Sequence, residues 1–162
     1  MSYGALENEW VALANSVGCE DLLPVVSNPH ADISPNSLMK TLGKTPSRYN
    51  SLRQVGGIKE WTKYKATKTD ISNWAKEPDY GVCIQTRHVR ALDIDVEDID
   101  LANNIIHSIL SFFPHAHFRT RNNSAKFLFP FFLEGDYTKR TIVTEKGIIE
   151  FLANGNQFVA AG

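Results

Sequence analysis

Asp93 and Asp95 stand one residue apart in Arg90-Ala91-Leu92-Asp93-Ile94-Asp95-Val96, an otherwise apolar run of β character. Side chains on a strand alternate with a period of two, so both aspartates point to one face and Leu92, Ile94 and Val96 to the other. Neighbouring carboxylates on a largely buried strand repel each other, and each loses hydration. A hard divalent cation relieves both penalties, and Mg²⁺ or Mn²⁺ prefers oxygen ligands of this kind. Without a cation, the same pair would mark a strand end running into a polar turn, so the rest of the chain must decide. Glu150 is the lone charge in Gly147-Ile148-Ile149-Glu150-Phe151-Leu152, with Ile149 and Phe151 on the opposite face. If that strand lies beside the aspartate strand, three carboxylates converge. Two-metal phosphoryl transfer needs such a cluster, with its metals about 3.5–4 Å apart.

The connecting sequence supplies the opposite charge. In Phe118-Arg119-Thr120-Arg121-Asn122-Asn123-Ser124-Ala125-Lys126-Phe127-Leu128-Phe129, Arg119 and Arg121 share a strand face, as do Ser124, Lys126 and Leu128. Cations and a hydroxyl beside a carboxylate–metal centre suit a triphosphate, whose charge metals neutralise only in part. On a face without that centre, the same residues would be solvated cross-strand charge pairs.

A second cationic region lies upstream. The chain of 162 residues has a net charge of −1, which hides a segregation. From Lys40 to Lys68 eight cations (Lys40, Lys44, Arg48, Arg53, Lys59, Lys63, Lys65 and Lys68) face one acid, Glu60, a local +7 that leaves −8 on the remainder. Tyr49, Trp61 and Tyr64 sit among them. Cations interleaved with aromatics suit phosphate contacts and base stacking, which makes Lys44, Arg48, Arg53, Lys59, Lys63 and Lys65 candidate nucleic-acid contacts. Gly43-Lys44-Thr45 lacks the upstream glycine of a phosphate-binding P-loop, because Leu38 stands there, and Pro46 follows where that motif enters a helix.

These residues need elements to hold them. Leu6, Trp10, Leu13 and Val17 recur at helical spacing, predicting a helix over 4–17 that Gly18 stops. Asp21 to Asn36, with three prolines, reads as extended or looping chain, and a short helix is expected from Asn36 to Leu42. Gly56-Gly57 reads as a turn, and Asp70 as the N-cap of a short helix through Trp74. Gly81–Ile84 and Val89–Val96 read as the two strands of a hairpin delivering the aspartates. Asp98 to Phe113 is amphipathic, with Ile99, Ala102, Ile105, Ile106, Ile109 and Leu110 on one side, and Pro114 ends it. Strands follow at 117–121, 125–133, 141–144, 148–152 and 157–160. This order predicts an α+β fold, a mixed or antiparallel sheet with helices packed on it.

Length indicates one domain over 1–162, with a helical and basic lead-in to about residue 77 and a catalytic sheet from about 78. No apolar run reaches the ~18–20 residues that span a bilayer, and no signal peptide opens the chain, so no membrane association and a cytoplasmic location are expected. Cys19 and Cys83 stand apart, without zinc or disulfide spacing. The run Phe158-Val159-Ala160-Ala161-Gly162 has no polar tail, which suggests a fragment of a longer chain.

Taken in order, four stretches over about residues 78–162 resemble the bifunctional primase/polymerase (prim-pol) domains of the archaeo-eukaryotic primase superfamily, phage and plasmid versions especially. They are G-V-C-I from Gly81, A-L-D-I-D-V from Ala91, R-T-R-N-N-S-A-K-F from Arg119 and I-E-F-L-A-N-G-N-Q-F-V-A-A-G from Ile149. The resemblance implies a primase/polymerase-like catalytic core, with Asp93 and Asp95 matching the first metal motif and Glu150 the acidic residue of the third. It implies template-directed nucleotidyl transfer with Mg²⁺ or Mn²⁺, using nucleoside triphosphates and a single-stranded DNA template, in phage or plasmid replication. In phage relatives a helicase or ATPase domain commonly follows. One departure stands out: Lys126 occupies the second-motif position that usually holds a nucleotide-contacting histidine, and lysine offers charge without imidazole hydrogen bonding.

Two other readings compete. A degenerate prim-pol that only binds nucleic acid or nucleotide would account for the missing histidine. His115-Ala116-His117 resembles the metal motif of rolling-circle replication nucleases, although no tyrosine follows on an evident helix, Tyr137 lying in a Gly/Asp turn.

Overall fold

The structure, a computed structural model, describes residues 2–162. It is α+β, with three α-helices and antiparallel sheets. The chain divides into two compact units, one running up to Gln85 and completed by Gln157–Gly162, the other spanning Thr86–Asn156. No helix among the described residues is long and apolar enough to cross a membrane.

The first unit is built on a three-stranded sheet, β1 (Leu22–Val26), β4 (Tyr80–Gln85) and β10 (Gln157–Ala161), in the order β1-β4-β10. Every residue of β1 and β4 is buried, which is why both read as continuous rather than alternating apolar runs. The proline-rich character of 21–36 suggested irregular chain, yet Leu22–Val26 is a strand. Its Pro24 is tolerated because β1 lies at the sheet edge, where one side of the strand needs no amide donor. Helix α1 (Glu7–Val17) buries Trp10 beside Trp74 of α2 (Lys68–Trp74), the ring centroids 6.1 Å apart.

Three local expectations in this unit are corrected. Residues 36–42 form turns and irregular chain rather than a helix, since Leu38 has no apolar surface to pack on and is fully exposed. Gly56 and Gly57 belong to β3 (Val55–Gly57), which pairs with β2 (Ser47–Tyr49), and the reversal falls at Asn50–Arg53. There Asn50 Oδ1 accepts from the Leu52 and Gln54 N–H groups, an Asx turn that replaces glycine as the turn former. The N-cap of α2 is Thr67, not Asp70. The Thr67 hydroxyl accepts from the Asp70 N–H, and the Asp70 carboxylate accepts from the Thr67 N–H at 2.8 Å, a capping box.

The second unit is a five-stranded antiparallel sheet in the order β6-β7-β5-β9-β8, covered on one face by a helix. Its strands are β5 (Val89–Val96), β6 (Arg119–Thr120), β7 (Phe127–Phe132), β8 (Arg140–Thr144) and β9 (Gly147–Leu152). The anticipated hairpin of β4 with β5 does not form. β4 pairs with β1 and β10, whereas β5 takes the centre of its own sheet between β7 and β9. Helix α3 (Ile99–Phe112) starts at Asp98, whose carboxylate accepts from the Leu101 N–H at 2.8 Å. Ala102, Ile105, Ile106 and Ile109 recur at three- and four-residue spacing and pack on Ile94, Val96, Phe127 and Phe129. Ile99 falls outside this stripe and is exposed, unlike its expected place on the apolar side.

Candidate functional site

Alternation along β5 converts the α3 contact into a functional constraint. With Ile94 and Val96 buried against the helix, Asp93 and Asp95 must project from the opposite face, and a slip of one residue would exchange the two sets. Strand register then assembles a row across the sheet. Arg119 of β6 pairs with Leu128 of β7, Leu128 with Asp93, Asp93 with Glu150 of β9, and Glu150 with Thr141 of β8. Directly opposed residues in antiparallel strands have Cβ atoms about 4.5–5.5 Å apart, so Asp93 and Glu150 are immediate neighbours. The three carboxylates therefore share one sheet face.

Two lysines hold the outer members of this set. Lys126 Nζ lies 2.7 Å from Asp95 Oδ1 and 3.2 Å from Glu97 Oε1. Lys139 Nζ lies 2.6 Å from Glu150 Oε1, to which the Thr141 hydroxyl also donates at 3.3 Å. Hydrogen bonds to Asp95 and then Glu97 hold the Lys126 ammonium above its ordinary pKa. Asp93 has no side-chain hydrogen bond or ion pair among the described residues. Burial first, then the charges of Asp95 and Glu150, push its carboxyl above the ordinary value, and Arg121 and Lys139 offset part of this.

Among the described residues no three His, Cys, Asp or Glu side chains are gathered into a ready metal shell. The donor chemistry nevertheless fits a hard cation. Asp93 is crowded by like charge and lacks a partner, all three groups offer oxygen, and Asp95 and Glu150 are held by flexible lysines rather than by packing.

The triphosphate candidates differ in their roles. Arg121 and Ser124 are exposed in the loop between β6 and β7, where Asn123 takes a left-handed conformation at φ 59°. Ser124 Oγ accepts from the Lys126 N–H at 3.2 Å, so this hydroxyl shapes the loop that presents Lys126. Arg119 stands at the end of the carboxylate row.

Three residues that support the site escaped the reading of the sequence. Lys139 precedes β8 in a polar stretch with no periodicity to mark it, and Thr141 looks like any exposed strand threonine. Arg90 had a signal, a cation inside an apolar strand. It is fully buried, and its guanidinium donates to the carbonyls of Thr86, Leu133 and Gly135 and to Asn154 Oδ1. It thereby ties the start of β5 to the loops following β7 and β9.

In the first unit the eight cations from Lys40 to Lys68 are all exposed, but three of the six proposed nucleic-acid contacts are engaged by acids. Arg53 makes a two-pronged pair with Glu77 at 2.6 and 2.7 Å and stacks 3.9 Å above the Tyr49 ring. Lys63 pairs with Glu60 and Lys65 with Glu20. Lys44, Arg48 and Lys59 have no ion pair among the described residues. Tyr49 stacks on Tyr80 and donates its hydroxyl to Asp79, and Tyr64 packs on Trp74, so both rings are committed internally. His115 and His117 are exposed, in and after the turn that ends α3, and Tyr137 meets Phe151 edge-on.

Comparison of the chain with family models, with curated proteins and with solved structures found no match.

Proposed function

We propose that the carboxylate face of the five-stranded sheet is the active face of a metal-dependent nucleotidyltransferase, a primase or primer-extending polymerase acting on a single-stranded template. The observation that carries this reading is the opposition of Asp93 and Glu150 across β5 and β9, with Asp95 next along the same face. Mg²⁺ or Mn²⁺, when bound, supplies Lewis-acid neutralisation of phosphate charge. Asp93, Asp95 and Glu150 are the groups that would hold it. Lys126 and Arg121 would take the triphosphate oxygens, with Arg119 extending the cationic side, and Ser124 keeps the Lys126 loop in shape. Lys126 serves two anions in turn under this reading. It is paired with Asp95, and its ammonium would turn to phosphate if a metal were held by that carboxylate.

The test is incorporation of labelled nucleotides on primed and unprimed single-stranded DNA, with each metal and with ribo- and deoxynucleotides. Asp93→Asn/Asp95→Asn is expected to abolish synthesis while leaving the fold intact, and undiminished synthesis would overturn the assignment. A binding-only module is the second reading. It draws on the two lysines, which are paired with Asp95 and Glu150. DNA binding without incorporation under every metal and nucleotide would favour it.

A further inference from the structure

The hairpin of β2 and β3 and the chain preceding it enclose a groove of about 590 Å³, within the range of small-ligand sites. The backbone builds it firmly. Ser34 donates its N–H to the Val55 carbonyl at 2.9 Å, Val55 donates to Asp32 at 2.8 Å, and Ile58 donates to Pro46 at 3.0 Å. Gly57 lies beside Met39, whose Cγ would be 3.4 Å from a Cβ placed there, an ordinary van der Waals contact. Trp61 opens a 3-10 turn (Trp61–Lys63) at the rim.

Three features of the lining converge. No aspartate or glutamate lines the groove, whereas Lys40 and Lys59 do. Neither lysine has an ion pair among the described residues, in contrast to Lys63 and Lys65. Trp61 is half-exposed and has no aromatic or cation–π partner among the described residues, although Tyr49 and Tyr64 are both stacked. An unstacked indole that lines the same groove as two unneutralised ammonium groups complements an unpaired base flanked by phosphates.

We propose that this groove is a single-stranded nucleic-acid subsite, in which a base stacks on Trp61 and the flanking phosphates lie against Lys40 and Lys59. A duplex conceals its base faces, so stacking on Trp61 selects unpaired strand. The subsite deepens the template-directed reading above and rests on it for the choice of occupant. It relocates the cationic contacts from the whole 40–68 segment to the groove, with Lys63, Lys65 and Arg53 tied to acids instead.

The experiment is a titration of the intact chain with fluorescein-labelled oligothymidylate, followed by anisotropy and by tryptophan emission, at several salt concentrations. Trp10 and Trp74 are buried, so quenching reports chiefly on Trp61. Trp61→Ala is expected to weaken binding about tenfold or more, and Trp61→Phe to restore much of it. Lys40→Ala/Lys59→Ala is expected to lower the slope of log K against log salt by about 1.4, at about 0.7 per single-strand phosphate contact. Lys63→Ala leaves the affinity unchanged. Incorporation by the wild type is scored separately, so lost incorporation with retained binding concerns only the carboxylate face. Wild-type affinity in Trp61→Ala, an unchanged salt slope in the double-lysine variant, or equal affinity for a duplex or for thymidine monophosphate would overturn the subsite. The lysine variant alters only exposed side chains and carries the test if Trp61→Ala fails to fold.

Discussion

Asp93 is the residue at which the site's electrostatics are concentrated. A carboxyl whose pKa rises on folding takes up a proton between its unfolded and folded values. Stability therefore falls as pH climbs through that window, and the penalty persists above it. Asp93→Asn is accordingly expected to raise the thermal midpoint near neutral pH, with the gain vanishing in acid below the ordinary carboxylate range. Mn²⁺ should raise the midpoint of the wild type and have little effect on the variant, by preferential binding to the folded state. Differential scanning calorimetry with and without the metal checks both. Arg90 presents the opposite case, a buried cation surrounded by acceptors. Arg90→Met leaves those carbonyls unsatisfied and is expected to cost about 3 kcal/mol or more in urea unfolding. Gly147 shows how closely β9 approaches the aspartate strand, since at φ 142° an added Cβ would meet the Asp95 carbonyl oxygen at 2.3 Å.

At the scale of elements, period and capping explain most of what could be read in advance. The i, i+3, i+4, i+7 stripe of α3 and its Asp98 cap are local, and the alternation along Val89–Val96 announces which residues oppose the aspartates. The α2 start was misplaced by three residues because both Thr67 and Asp70 are good capping types, and only the reciprocal bonds show which is the cap. Burial works against the Asp70 carboxylate, but its bonds from the Thr67 N–H and hydroxyl hold it below its ordinary pKa. A depressed carboxylate stabilises above its unfolded value, and this is lost as pH falls through the folded one. Thr67→Ala is expected to cost about 1 kcal/mol at neutral pH. Asp70→Asn should cost less, with a difference from wild type that shrinks in acid. Chemical denaturation across that range measures both. Strand β1 is hidden in the sequence because it carries a proline and pairs with β4, far along the chain, and β2 and β3 because each has only three residues, two of them glycines in β3.

For the whole molecule, the two compact units differ in continuity. The second uses one uninterrupted segment, Thr86–Asn156, that contains all five strands of its sheet and the helix covering it. The first needs β10 from the far end of the chain to complete its sheet beside β4. A fragment of residues 86–156 is therefore expected to retain its strand and helix signals in circular dichroism. Residues 1–85 alone should unfold at lower urea, since β4 would lose one neighbour and expose an edge. Loss of structure in both fragments would contradict this. Local chemistry was sufficient to predict an α+β chain, the pairing of Asp93 with Asp95 on one face, the lone charge of Glu150 and the +7 segment, because each follows from residue type and a period of two or 3.6. Which strands would be neighbours was beyond its reach, and the expected hairpin of β4 with β5 shows why. Pairing is a contest among all apolar strands for partners across the chain, and sequence adjacency is only one term in it. In the second unit, packing against α3 and the β5–β9 register set Glu150 opposite Asp93 and brought Lys126 and Lys139 onto the carboxylates; in the first, pairing of β2 with β3 put Trp61, Lys40 and Lys59 along one groove.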